Sequence, residues 1–81
     1  MNSPERRGQR KPFIETGTLR LGLFKRRTCE LRDVSSGGAR FITPDDTELP
    51  EEFYLRTPHF DRPRRCVLRW QSGRETGVEF I

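Results

Sequence analysis

The stretch Asp33-Val34-Ser35-Ser36-Gly37-Gly38 gathers a carboxylate, two hydroxyls and two glycines into six residues. Asp33 and Ser35 can hydrogen-bond nearby backbone, and glycine tolerates positive φ, so the minimal reading is a strand connection. A second polar cluster, Glu5-Arg6-Arg7-Gly8-Gln9-Arg10-Lys11, places several guanidinium groups near the N-terminus. A guanidinium fork matches a phosphate or a guanine edge through two parallel hydrogen bonds. These residues suit recognition of an anion or a base. Bond-making chemistry finds less support. His59 is the single histidine and sits in Thr57-Pro58-His59-Phe60-Asp61, a segment that reads as a surface loop. No nucleophile elbow, phosphate loop or metal-ligand cluster is present, so the sequence predicts neither an enzyme nor a bound cofactor or metal. Cys29 and Cys66 with one histidine cannot fill a four-ligand zinc site, and both thiols are expected free and buried.

What must position these groups is one small domain. Eighty-one residues with 31% hydrophobic and 35% charged content leave room for only a modest core. The net charge of +4 is uneven, because residues 1–11 carry +3 and the remaining seventy carry +1. The chain therefore divides into a basic arm, 1–11, and a nearly neutral body, 12–81. Fourteen of the sixteen basic residues are arginine, which a GC-rich genome or a binding role would equally favour. No apolar run approaches the ~18 residues of a membrane span, and no signal-peptide core follows Met1, so the expectation is a cytoplasmic protein without membrane insertion.

Along the body the apolar pattern has period two. Pro12 favours an extended entry, Glu15 to Gly17 reads as a bend, and Leu19, Leu21 and Leu23 alternate with polar residues. Phe24 to Arg26 is the expected first connection. Cys29 and Leu31 mark a second strand running into the Asp33 turn, and Ala39, Phe41 and Thr43 a third. A polar loop, Pro44 to Glu51, precedes Phe53 and Leu55. Cys66, Leu68 and Trp70 follow, then a turn at Gln71 to Arg74, then Val78 and Phe80 in a last strand from Thr76 to Ile81. No segment shows a 3.6-residue period. Six short strands with one apolar face predict an all-β fold, a six-stranded antiparallel barrel around one core. That core is expected to hold Leu19, Leu21, Leu23, Cys29, Leu31, Phe41, Phe53, Leu55, Cys66, Leu68, Trp70, Val78 and Phe80, with Tyr54 as the outward aromatic; Trp70, if placed near a barrel mouth, would instead flank a bound ligand.

A barrel that stacks nucleic-acid bases would show aromatics interleaved with basic residues on an exposed face, and here most aromatics fall in the inward register. No DNA-reading element is evident. The pair Arg6-x-x-x-Arg10 and Asp33-x-Ser35-x-x-Gly38 instead resembles the two-part signature of the PilZ domain family. Gly38-Ala39-Arg40-Phe41, Val67-Leu68-Arg69-Trp70 and Gly77-Val78-Glu79-Phe80-Ile81 agree with that resemblance, which spans nearly the whole chain. PilZ domains are small bacterial β-barrels, and many are receptors for the second messenger cyclic di-GMP. The resemblance implies that Arg6 and Arg10 grip guanine edges and phosphate while Arg7 adds a phosphate contact. It implies that Asp33 accepts from guanine N1–H and N2–H₂, that Ser35 bonds the base or backbone, and that Gly38 leaves room for the ligand. The register could instead place Arg7 and Lys11 at the arginine positions, which would lose one fork. The implied output is an arm that orders on the ligand and docks on a downstream protein, the domain itself being a monomer or weak dimer. A PilZ adaptor without nucleotide, and a basic-armed barrel binding single-stranded nucleic acid, are the alternative readings.

Overall fold

The computed structural model describes residues 15–81. The arm, with Arg6, Arg7, Arg10 and Lys11, lies outside the described residues. Six strands follow in order: β1 (Glu15–Arg20), β2 (Arg26–Val34), β3 (Gly38–Ile42), β4 (Glu52–Arg56), β5 (Arg64–Ser72) and β6 (Glu75–Phe80). They close into an antiparallel barrel in the order β1-β2-β3-β6-β5-β4, with β1 pairing β4 to complete the ring. Closure suits so small a domain, because it leaves no long strand edge unpaired.

The inward residues follow the period-two pattern over most of the ring. Leu19, Cys29, Leu31, Ala39, Phe41, Phe53, Leu55, Cys66, Val78 and Phe80 are buried on the inner face. Phe41 and Phe53 meet edge to face with ring centroids 6.3 Å apart. Cys29 and Cys66 are both free and buried, and burial pushes each thiol up to about 12. The connection between β3 and β4 crosses one end of the barrel and buries Leu49 there, an apolar plug inside an otherwise polar loop. Gln71 holds that plug: its Nε2 donates to Thr47 O at 2.8 Å, and its Oε1 accepts from Leu49 N at 3.2 Å.

Several sequence expectations change. Glu15 to Gly17 form no bend; they pair with Leu31 to Cys29 as the start of β1. β1 ends at Arg20 opposite Arg26, so residues 21–25 make the connection, closed by Leu21 N donating to Lys25 O at 2.8 Å. Leu23 therefore leaves the core and is 77% exposed, beside Phe24 at 95%. The leucine alternation simply outruns its strand. Leu21 and Leu68 are only partly buried against the core. Trp70 is 43% exposed on the outer face, because the β5–β6 register shifts between Leu68 and Trp70. Leu68 pairs with Val78 and Trp70 with Gly77, leaving Arg69 as an extra residue that turns Trp70 outward and Gln71 inward. The β5–β6 turn is tight, with Gly73 at φ 61°.

Removing a buried ring should cost far more than removing an exposed one of the same kind. Phe41→Ala is expected to lower unfolding stability by about 3–5 kcal/mol and Phe24→Ala by under about 0.5 kcal/mol, measured by urea denaturation. Alkylation of Cys29 and Cys66 at pH 8 should be negligible in the native protein and rapid in denaturant, followed by mass spectrometry.

Candidate functional site

The β2–β3 hairpin assembles Asp33, Ser35 and Gly38 at one end of the barrel. Asp33 is not in the turn. It belongs to β2, where the register shifts between Leu31 and Asp33: Leu31 pairs with Phe41 and Asp33 with Arg40, so Arg32 has no partner of its own on β3. By strict alternation Asp33 would follow Leu31 into the core. The extra residue turns it out instead, to 67% side-chain exposure.

The turn proper is Ser35 to Gly37, stitched by its own polar groups. Ser35 N donates to Gly38 O at 2.9 Å, and Gly37 N donates to Ser35 Oγ at 3.2 Å. Phe80 N donates to Gly37 O at 2.9 Å, fastening the turn to the end of β6. Neither Gly37 nor Gly38 uses positive φ, so left-handed backbone is not why glycine stands at either position. At Gly38 the reason is close approach: a Cβ there would lie 2.3 Å from Val78 O of β6. At Gly37 a Cβ would meet nothing within 4 Å.

Asp33 is held by a neighbour the sequence reading did not assign a role. Arg40 donates to Asp33 Oδ2 from Nη2 at 2.6 Å and from Nε at 2.9 Å, and its Nη1 reaches Glu75 Oε2. The bonds to Asp33 first, then to Glu75, raise the Arg40 pKa. Next on the outer face lies Gly77, paired with both Arg40 and Trp70. The Trp70 indole covers it so closely that a Cβ at Gly77 would fall 2.2 Å from Nε1. Asp33, Arg40 and Trp70 thus form one row across β2, β3, β6 and β5.

A cleft of about 490 Å³ opens beside the turn, lined by Arg32, Asp33, Val34, Ser35, Ser36, His59 and Phe60. The β4–β5 loop supplies its far wall. His59, expected as an ordinary surface residue, points Nε2 at Glu15 Oε1, 2.6 Å away, and its backbone N donates to Thr57 Oγ1 at 2.9 Å. Phe60 packs edge to face on Phe80 with centroids 5.4 Å apart. A cleft of about 510 Å³ around Arg20, Leu23 and Tyr54 lies at the opposite end and holds no residue of the signature. Among the described residues, no three metal-ligating side chains cluster, and no helix is long and apolar enough to cross a membrane.

A comparison with protein-family models matches the PilZ domain over residues 4–81, nearly the whole chain. The chain belongs to the PilZ family. Comparisons with curated proteins and with solved structures return no match. The PilZ family is one of cyclic di-GMP-binding receptors and adaptors. The match runs across both halves of the signature, the arm as well as the β2–β3 turn.

The two glycines of this PilZ turn should respond differently to a methyl group. Gly38→Ala is expected to destabilise the domain by about 1–3 kcal/mol, since backbone must shift to admit it, and Gly37→Ala by less than about 1 kcal/mol. Thermal unfolding of the two variants checks this.

Proposed function

We propose that this PilZ domain is a receptor for cyclic di-GMP, bound at the β2–β3 turn and closed over by the N-terminal arm. The carrying observation is topological. The chain enters β1 at Glu15, which pairs with Leu31, two residues before Asp33. Arg10 precedes Glu15 by five residues, at most about 18 Å of extended chain, so the arm is tethered at the same barrel end as the turn. Arg6, Arg7 and Arg10 can therefore reach a ligand lying against Asp33 and Ser35.

The chemistry follows from the groups. Cyclic di-GMP carries two phosphates and two guanines, and guanine O6 and N7 form an acceptor pair that Arg6 or Arg10 matches bidentately. Asp33 faces outward and accepts from the N1–H and N2–H₂ side, the edge that distinguishes guanine from adenine. Ser35 is spent largely on its own turn, so its part is to hold the backbone in place. Gly38 has a packing reason independent of any ligand. Trp70, outward beside Arg40, offers a flat apolar surface at the edge of the same face. Ordering the arm draws on the binding energy, and the ordered arm is then the surface presented to a downstream protein.

Calorimetric titration of cyclic di-GMP into the full chain tests this. Binding in the wild type, lost in Arg6→Ala/Arg10→Ala and weakened by a factor of at least about ten in Asp33→Ala, is the expected result. Absence of both heat and thermal stabilisation in the wild type at high ligand concentration overturns the receptor reading and leaves a nucleotide-free adaptor.

A further inference from the structure

Arg40 lies outside the Arg-x-x-x-Arg and Asp-x-Ser-x-x-Gly positions, yet it is the residue most directly engaged with Asp33. Two of its donors converge on one oxygen, Oδ2, at 2.6 and 2.9 Å, while its third contact anchors it to Glu75 of β6. Among the described residues, no donor reaches Asp33 Oδ1. We infer that Arg40 is the positioning residue of the site, fixing Asp33 with one oxygen committed and the other presented to the guanine edge.

Three physical points support this. An exposed carboxylate on a strand samples several rotamers, and a guanidinium held at both ends removes that freedom before the ligand arrives. Asp33 must also sit beside a ligand carrying two phosphates, and an uncompensated carboxylate there would repel it. Arg40 supplies the compensating charge from within the barrel itself. Finally, Arg40 is 42% exposed and Asp33 67%, so this ion pair adds little to folding. Its geometry therefore matters more to what Asp33 can do than to whether the barrel forms.

The inference rests on the cyclic di-GMP reading, and its test separates the two. Titrations of cyclic di-GMP and cyclic di-AMP into the full chain would compare wild type, Arg40→Ala, Arg40→Lys, Asp33→Ala and the Arg40→Ala/Asp33→Ala pair. Arg40→Ala should bind cyclic di-GMP about 10- to 100-fold more weakly, with Arg40→Lys between it and wild type. The double variant should bind no more weakly than Asp33→Ala, since Arg40 acts through that carboxylate. Preference for guanine over adenine should fall in Arg40→Ala, a change that a merely structural role would not produce. Glu75→Gln, which loosens the anchor of Arg40 and leaves the core intact, should show a smaller loss. Wild-type affinity or tighter in Arg40→Ala, additive losses in the double variant, or unchanged guanine preference overturns the role of Arg40 alone. Failure of the wild type to bind overturns the receptor reading, and this inference with it.

Discussion

Leu31 pairs with Phe41 and Asp33 with Arg40, which leaves Arg32 unmatched and inverts the face of the strand beyond it. The outward placement of Asp33 depends on that extra residue. Without it, Asp33 would point at the core, where an unpaired carboxylate is strongly unfavourable, and Val34 would point out. With it, the carboxylate meets Arg40 on the outer surface and Val34 packs partly against the core. β5 uses the same device three strands further around the ring, where Arg69 is the extra residue and Trp70 turns outward onto Gly77. Two local insertions thus bring an acid, a base and an aromatic onto one outer row of an otherwise regular barrel.

The rest of the barrel makes this row affordable. Ten inward residues from the six strands, with Leu49 as an end plug, form the apolar interior. The signature turn is tied down through the backbone of two of them, by Phe80 N to Gly37 O and by the close approach of Gly38 to Val78 O. The turn is held by backbone contacts with β6 and by the Ser35 hydroxyl, while the Asp33 side chain stands on the outer row. The buried interior and the outer row are separate sets of atoms, so a change on the outer row can leave the domain folded.

The sequence made the strands legible because their alternation is strong: Cys29 with Leu31, Phe53 with Leu55, and Val78 with Phe80 all face inward as read. It misplaced Leu23 because the leucine period continues past Arg20, where pairing with Arg26 ends the strand. It misplaced Trp70 because a bulge is a mismatch of count between two partner strands, and Arg69 looks like any outward residue within its own. Leu49 was hidden for another reason, since one apolar residue in a Pro-fenced loop carries no period at all. The signature residues Asp33, Ser35 and Gly38 could be read from type and spacing. Arg40 could not, because its meaning comes from Asp33 across one strand pair and from Glu75, thirty-five positions later.

The arginines of the body sharpen this point. Arg27 pairs with Asp45, Arg65 with Glu52 and Arg69 with Glu79, each on the outside of the barrel. Solvent-screened pairs of this kind add little to folding, so together they explain the near-neutral body better than they explain its stability. Arg40 differs in holding two carboxylates from different strands, one of them the signature residue Asp33. A guanidinium pinned between two acids cannot swing away to meet an incoming phosphate without leaving both unpaired. The basic excess of the chain, +3 of its +4, lies in residues 1–11. On the proposed receptor reading, labour divides by charge: Arg40 fixes the base-reading carboxylate, and residues 1–11 carry the positive charge that a dianionic ligand requires.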